Sequence, residues 1–292
     1  MSLNILKYPI LFLVLCVVNP FPPVEPQAFA TQFTKTLQNL RGIRKGQNAN
    51  GVGTLRSHLK HLGYQINEQS SSNNFDENVE SALKHYQAFH HLQTSGVVDD
   101  QTIETMSLPR CGLPDIPTIS NPNPNPNPNA PQNYSYFPGS PRWNRFALTY
   151  RRSSSATISL SLSAVRQAVG NAFQTWRQNN SFTFTEVTGS SNIVYGFHRG
   201  SHGDGIPFDG PFGVLAHAFA PQDGRLHFDG DESWSIGGSG IDMETVSLHE
   251  IGHILGLGHS NVSGAVMEPT YAGIRRILTQ DDKDGLKNLY GF

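Results

Sequence analysis

Apolar residues recur at helical spacing in the first third of the chain. The clearest case is segment 75–92, FDENVESALKHYQAFHHL, where Asp76 can cap the start of a helix. The apolar positions of its buried face are Val79, Leu83, Tyr86 and Phe89. Segments 54–64 and 95–106 show shorter helical patterns. We therefore predict a small helical bundle over residues 35–106.

From about Pro141 the pattern changes to short alternating segments rich in β-branched and aromatic residues. Such segments predict strands, here at 145–151, 182–187, 192–198, 214–221 and 225–230. An amphipathic helix is predicted at 163–178, one more begins near Asp242, and the last covers 279–290. This order predicts a mixed α/β sheet backed by helices.

A proline-rich stretch separates the two patterns. Residues 121–131, NPNPNPNPNAP, contain four Asn-Pro repeats. Each proline lacks an N–H and disfavours helix at the preceding asparagine, so this stretch cannot form part of a core. It predicts an extended, solvated linker between two domains.

The chain begins with a short apolar run, ILFLVLCVV at 10–18, preceded by Lys7 and followed by AFA at 28–30. The run is shorter than the roughly 20 residues of a membrane span. It is typical of a secretory signal peptide, the alternative being a buried N-terminal strand. We therefore expect a secreted, soluble product without a stable membrane anchor.

Charge excludes some partners and leaves others open. The formal net charge is −2, with no basic stripe for nucleic acid and no polybasic patch for membranes. Hydrophobic residues make up 37% of the chain, which is enough for real cores. The histidines of the predicted helical bundle show no persuasive spacing and are expected to be surface or partly packed residues: His58, His61, His85, His90 and His91.

The chain has two cysteines, Cys16 and Cys111. Cys16 lies in the expected signal peptide, which leaves Cys111 without an intramolecular partner. A single thiol in a secreted protein pairs between molecules or is reactive. Binding to a metal is the third alternative for Cys111.

The segment HEIGHILGLGH at 249–259 carries the strongest chemical signal. His249 and His253 lie four residues apart, so a helix presents both imidazoles on one face to a single Zn²⁺. Gly256 lets the backbone leave the helix, so that His259 can supply a third nitrogen. Three ligands leave one open position, which is typical of a catalytic zinc site. Glu250 is placed to take a proton from water bound there.

These residues resemble a known family. HEIGHILGLGH followed by VMEP is similar to the metzincin signature with its Met-turn at Met267, and PRCGLPD at 109–115 resembles the cysteine switch of the matrixins, or matrix metalloproteinases. The resemblance covers nearly the whole chain. It implies an α+β fold, in which a metzincin catalytic domain has a twisted mixed five-stranded sheet with three helices. A small helical, peptidoglycan-binding-like prodomain precedes it.

The resemblance also implies a domain order. It gives a signal peptide at 1–30, a helical prodomain ending in the switch at 31–116, an Asn-Pro-rich linker and activation region at 117–138, and a catalytic domain at 139–292. Because the last predicted helix ends two residues before Phe292, we expect neither a hemopexin-like domain nor a hydrophobic tail for a lipid anchor. This short architecture is most similar to plant matrixins.

The resemblance assigns roles to the switch. Cys111 would be the fourth ligand of the catalytic zinc in the latent form and would exclude the water that Glu250 needs. Arg110 and Asp115 would pair to hold the bend of this segment.

A second set of metal sites is implied by segment 198–234, which resembles the matrixin stretch for structural zinc and calcium. The implied ligands of the structural zinc are His202, Asp204, His217 and His227. Calcium would be bound by the carboxylates of Asp209, Asp229 and Glu232 and by the carbonyls of Gly210, Phe212 and Val214. His198 lies outside this pattern.

The chain departs from the family pattern at two positions. Arg225 stands where the family has an aspartate for a further calcium, so that site is not expected. Glu268 replaces the aromatic residue that often follows the Met-turn methionine. Pro269, Thr270 and Tyr271 resemble the wall of the main specificity pocket, S1′, although its depth does not follow from them.

The function expected from the sequence is that of a secreted, monomeric zinc endopeptidase with two zinc ions and at least one calcium. Its substrate would be an extracellular protein or peptide, in the apoplast or cell wall if the source is a plant, lying extended along Leu215 and Ala216. Activation would need another protease or autoprocessing. The alternatives are a catalytically silent binding protein that uses the peptidoglycan-binding-like domain, or a regulatory decoy whose switch never opens. The sequons at Asn133, Asn179 and Asn261 are candidate glycosylation sites.

Overall fold

The computed structural model describes residues 32–66, 73–116, 133–153, 156–178 and 180–292. The expected signal peptide, the Asn-Pro repeats and Asn179 lie outside the described residues.

Four helices form the N-terminal bundle. They are α1 (Gln32–Asn39), α2 (Val52–His61), α3 (Glu77–Phe89) and α4 (Asp100–Met106). As predicted, Asp76 caps α3, because its side chain accepts the Val79 N–H at 3.0 Å. The three predicted helices are confirmed, with bounds that differ by a few residues. The bundle core is formed by the inward-facing apolar residues, including Leu55, Val79, Leu83 and Tyr86.

The remaining elements belong to the C-terminal region, apart from β1 (Arg110–Cys111), which follows the bundle. The strands are β2 (Ala147–Arg152), β3 (Thr183–Glu186), β4 (Ile193–His198), β5 (Val214–Ala218), β6 (Arg225–Asp229), β7 (Trp234–Ser235) and β8 (Ile241–Asp242). The helices are α5 (Leu162–Arg177), α6 (Met243–Ile254) and α7 (Gln280–Tyr290). All five predicted strands and all three predicted helices of this region are confirmed.

The main sheet is mixed and has the order β1-β5-β6-β4-β2-β3. Five of its strands come from the C-terminal region, as expected for the fold class. β5 is antiparallel to β6, whereas the other neighbouring pairs are parallel. The sixth strand, β1, pairs with β5 at the edge of the sheet. The edge of β5 is therefore covered by a segment from outside the C-terminal region.

Helices α5 and α6 pack together next to the sheet, and tryptophan side chains tie α6 to its surroundings. The Trp176 Nε1–H donates to the Leu248 carbonyl and the Trp143 Nε1–H to the Ile254 carbonyl, both at 2.8 Å. Every residue of α6 is buried. The helix that carries the predicted zinc ligands therefore lies in the centre of the C-terminal core.

The residues just after the proline-rich linker pack onto the C-terminal region. Tyr136 forms a bridge with Leu257, and the Gly258 N–H donates to the Ser135 carbonyl at 2.7 Å. A Cβ on Gly258 would lie 2.3 Å from the Ser135 Oγ, so this contact requires glycine. The segment expected to be linker, 117–138, therefore ends in residues that contact the C-terminal core.

No helix within the described parts of the chain is both long and apolar enough to span a membrane.

Asp282 links α7 to the turn that contains Met267. Its fully buried carboxylate accepts the N–H groups of Val266 and Met267 at 3.1 Å and completes the capping box with Thr279. We expect Asp282→Ala to lower the free energy of unfolding by about 3 kcal/mol or more, because a cap is lost and buried donors lose their acceptor. Urea unfolding followed by tryptophan fluorescence measures this loss.

The control is Asp284→Ala in the same helix. Asp284 accepts only the exposed Gln280 side chain among the described contacts, so its loss should cost no more than about 0.5 kcal/mol. Equal midpoints for the two variants would contradict the role given to Asp282.

Candidate metal centres and switch segment

Helix α6 and the turn after it bring three histidines together. Asp242 caps the helix by accepting the Thr245 N–H at 2.9 Å. The four-residue spacing places the Nε2 atoms of His249 and His253 3.0 Å apart. The backbone leaves the helix at Gly256, which has φ +105°, and its turn brings His259 to a ring-centroid distance of 4.9 Å from His253. The structure thus brings the three predicted ligand residues together.

The Nδ1 atom of each histidine has a backbone partner. His249 donates to the Val266 carbonyl at 2.7 Å and His253 to the Leu257 carbonyl at 2.8 Å. His259 donates to the Pro114 carbonyl, also at 2.8 Å. In each ring Nε2 is therefore the atom left with a lone pair, and the Nε2 of His259 is buried without any protein partner.

Cys111, on strand β1, is the fourth potential ligand of this group. Its Sγ lies 3.5 Å from the His253 Nε2, and the four ligand atoms all lie within 4.8 Å of one another. Nitrogen and sulfur ligands of a tetrahedral Zn²⁺ are separated by about 3.3–3.7 Å, which agrees with this spacing. The donor set and its geometry therefore fit zinc.

The electrostatics of this group agree with the geometry. Burial lowers the pKa of His253 to about 4 and holds the pKa values of His249 and His259 well below the ordinary value, so the imidazoles are neutral, as metal ligands must be. Burial also raises the pKa of the Cys111 thiol, so a thiolate here requires a cation beside it.

Glu250 lies within the same cavity as Cys111 and His249. It is fully buried, and neither of its carboxylate oxygens has a protein hydrogen-bond partner. Burial raises the pKa of Glu250 to about 8. The site thus holds one carboxyl group whose hydrogen-bonding capacity is not used by the protein.

Met267 packs directly against α6 between the two histidines. A Cβ added to Gly252 would lie 2.2 Å from the Met267 Sδ and 3.0 Å from the Trp176 ring. Glycine at 252 therefore allows the turn to approach the helix.

Residues 109–115, here called the switch segment, lie in the cleft between β5 and residues 269–271. On one side the N–H groups of Arg110 and Gly112 donate to the carbonyls of Gly213 and Ala216. On the other side the Cys111 N–H donates to the Pro269 carbonyl at 2.9 Å. The segment is therefore held through its main chain by both walls of the cleft.

A buried ion pair fixes the bend of this segment. The Arg110 Nη2 lies 2.5 Å from the Asp115 Oδ1, and the same guanidinium donates to the carbonyls of Cys111 and Leu113. Burial alone would raise the pKa of Asp115, but Arg110 and His90 hold this pKa well below its usual range. Arg110 and Asp115 are thus brought together as expected.

Two further residues in this network were missed by sequence reasoning. The Tyr64 hydroxyl donates to the Asp115 Oδ2 at 2.9 Å, and the His90 Nε2 lies 3.2 Å from the same oxygen. His90 was expected to be a surface or partly packed residue, but its side chain is 3% exposed and paired. No local signal reveals this role, since Asp115 lies 25 residues further along the chain.

The second predicted group of ligands also converges. The Asp204 Oδ2 lies 2.8 Å from three nitrogens, those of His202, His217 and His227. Burial would raise the pKa of Asp204, but the hydrogen bonds it accepts hold the pKa well below its ordinary value. The four ligand atoms lie within 4.8 Å of one another. His198 stacks on His202 but does not belong to this group.

The carboxylates expected at the calcium site lie close to the loop carrying the expected carbonyls. Burial raises the pKa of Asp229 to about 6 and that of Glu232 to about 7, and each has one buried carboxylate oxygen without a protein partner. The Phe212 N–H donates to Glu232 at 2.7 Å, and the Val214 N–H donates to Asp209 at 2.8 Å. Gly210 and Phe212 have positive φ, which turns this loop sharply around the acidic residues.

Pro269, Thr270 and Tyr271 line one cavity next to His249 and Glu250. This cavity encloses about 330 Å³ of space between atoms, open solvent included. Arg275 also lines it and was missed by sequence reasoning, because it lies on the loop after the expected wall.

The comparisons with known proteins agree with this arrangement. Residues 142–291 match the family model described as matrixin, and residues 48–106 match that of a putative peptidoglycan binding domain. The chain is 36% identical over 292 residues to metalloendoproteinase 5-MMP of Arabidopsis thaliana, covering 94% of this chain and 80% of the relative. It is 40% identical over 260 residues to metalloendoproteinase 1 of Glycine max, covering 84% of each chain.

The similarity extends to an animal protein. Human matrilysin is 38% identical over 258 residues, which cover 84% of this chain and 89% of matrilysin. Both the family model and these relatives name a metalloendopeptidase, in agreement with the histidine groups on α6 and around Asp204. The chain therefore belongs to the matrixin family and is a zinc-dependent metalloendopeptidase.

Proposed function

We propose that this metalloendopeptidase is made as a secreted, latent zymogen, with Cys111 as the fourth ligand of the catalytic zinc and Glu250 as the general base. The observation that carries this proposal is the convergence of the Cys111 Sγ with three buried imidazoles from another region of the chain. The expected domain order, with the prodomain at 31–116 and the catalytic domain at 139–292, forms part of it.

The proposed reaction is the hydrolysis of a peptide bond. Zn²⁺ held by His249, His253 and His259 supplies the Lewis acid for the scissile carbonyl and the attacking water. Glu250 takes the proton from this water and passes it to the leaving amine. Its unpartnered carboxylate and its place beside the ligands support this role.

Latency follows from the position of the switch segment. β1 occupies the edge of β5, where an extended substrate would add a strand through main-chain hydrogen bonds. The thiol lies where the water would bind. Another protease, or the enzyme itself, would cleave the chain in the region 117–138. Removal of the segment would then free the edge of β5 and the fourth position of the zinc at the same time.

The second metal set has a structural role in this proposal. His202, Asp204, His217 and His227 would bind a zinc with all four positions closed, so no water is activated there. The acidic groups of Asp209, Asp229 and Glu232, with the carbonyls of Gly210, Phe212 and Val214, would bind calcium beside it. The burial that raises the pKa values of Asp229 and Glu232 supports this role, because a bound cation would stabilise their charged forms.

We expect Glu250→Ala to keep its zinc and its fold but to lose nearly all turnover. The ligands are untouched, and general base catalysis contributes about 10²–10⁴-fold. The measurements are kcat/KM on a quenched peptide after mercurial treatment of the full chain, and metal analysis of both proteins. Glu244→Gln, at the other end of α6, is the control and should retain its activity. Zinc loss or retained peptidase activity in Glu250→Ala would sink the assignment.

We expect Cys111→Ser to be active, or to process itself, without any activator. A neutral hydroxyl is a much poorer zinc ligand than a thiolate, and each 1.4 kcal/mol removed from the closed state raises the open fraction about tenfold. Initial rates of full-length wild type and variant on a quenched peptide test this. A thiol-modifying mercurial should activate the wild type and leave the variant unchanged. Equal latency of the two proteins would rule out the switch.

We expect His217→Ala to lose about one zinc per chain and to unfold more easily, because its metal would organise the loop before β5. Metal analysis and thermal unfolding measure the two effects. His198→Ala is a matched control, since His198 stacks on the same cluster from outside the ligand group. Equal zinc content in His217→Ala and wild type would refute the second site.

A further inference from the structure

An ion pair lines the cavity beside His249 and Glu250. The Arg275 Nη2 lies 2.7 Å from the Glu268 Oε2, and both residues line the cavity together with Thr245. The two side chains are only 18% and 21% exposed. A charged and mostly buried pair therefore forms part of the lining of this pocket.

Three further contacts fix this pair. The Arg275 Nη1–H donates to the Thr270 carbonyl, and its main-chain N–H donates to the Thr245 Oγ1, both at 3.0 Å. The Glu268 carboxylate also accepts the Gly264 N–H at 3.0 Å. Arg275 is thus attached to the pocket wall, to α6 and, through Glu268, to the turn before Met267. Its guanidinium cannot move away without breaking the ion pair with Glu268 and the hydrogen bond to Thr270.

The charges of Arg275 and Glu268 determine which substrate side chains can bind beside them. A long apolar side chain that reached Arg275 would remove water from a guanidinium and a carboxylate without offering either a hydrogen bond, which is costly. A side chain of medium length stops before the pair, and one ending in an amide can accept from the guanidinium.

We propose that Arg275, held by Glu268, is the specificity-determining residue that closes the S1′ pocket of this protease. The inference rests on the proposed function, because it requires substrate to bind in this cleft. The residue after the scissile bond, P1′, is then leucine, methionine or glutamine in preferred substrates, and long aryl side chains are rejected.

The test compares the wild type with the double variant Glu268→Gln/Arg275→Met. Methionine is unbranched like arginine but shorter and uncharged, so it removes the guanidinium from the pocket. Glutamine avoids an unpaired buried carboxylate while it still accepts from Gly264. Three peptides differ only at P1′, which is leucine, glutamine or 4-phenylphenylalanine. The full-length proteins are opened with a mercurial before measurement.

We expect the kcat/KM ratio of the aryl peptide to the leucine peptide to rise about tenfold or more in the double variant. The ratio of the glutamine peptide to the leucine peptide should fall. These ratios do not depend on the fraction of active enzyme. The matched control is Arg276→Met, since the neighbouring Arg276 pairs with Asp242 and does not line the cavity. Its ratios should equal those of the wild type.

The same peptides with a reduced, uncleavable scissile bond are titrated calorimetrically to separate binding from turnover. A wild type that cleaves no peptide would overturn the proposed function, while a tenfold shift in relative affinity would still support the pocket assignment. If the double variant and the wild type have the same ratios between peptides, both in affinity and in kcat/KM, the pocket assignment is overturned.

Discussion

The complete burial of helix α6 is the constraint on which the rest of the structure depends. Twelve consecutive residues, including two histidines and two glutamates, have almost no contact with solvent. Their polar groups must find partners inside the protein, because an unpaired buried polar group costs about 1–3 kcal/mol. Trp176 and Trp143 donate to the carbonyls of Leu248 and Ile254, and Asp242 caps the start of the helix. Both carboxylate oxygens of Glu250 remain without a protein partner, and this cost is what the proposed role of Glu250 as general base would explain.

The switch segment likewise supplies hydrogen-bond partners for polar groups that line the cleft. Without it, the edge of β5 and the carbonyl of Pro269 would face an open groove. With it, both receive main-chain hydrogen bonds, and His259 receives a carbonyl partner from Pro114. The partners of His249 and His253 come from the C-terminal region itself, so only the third imidazole depends on the segment for its orientation.

Much of the site could be predicted because its signals are local. The spacing of His249, His253 and His259 specifies one helix face and one turn, and the alternating patterns specify where the strands lie along the chain. What could not be predicted depends on tertiary contacts. Helix α1 is short and largely polar, β1 has only two residues, and the Pro114 carbonyl carries no side-chain signal. The residues Tyr64 and His90 reach Asp115 across long separations in the chain, which no spacing rule detects.

The contacts of Asp115 with Tyr64 and His90 link the switch segment to the helical bundle. Tyr64 and His90 can contact its carboxylate only while α3 and the end of α2 keep their folded positions. Unfolding of the bundle alone would remove these two partners of Asp115, while the main-chain hydrogen bonds of the segment to Gly213, Ala216 and Pro269 would remain. The stability of a helical bundle whose contacting residues lie 51 and 25 residues before Asp115 therefore contributes to how firmly the segment is held in the cleft, even while the chain is uncut.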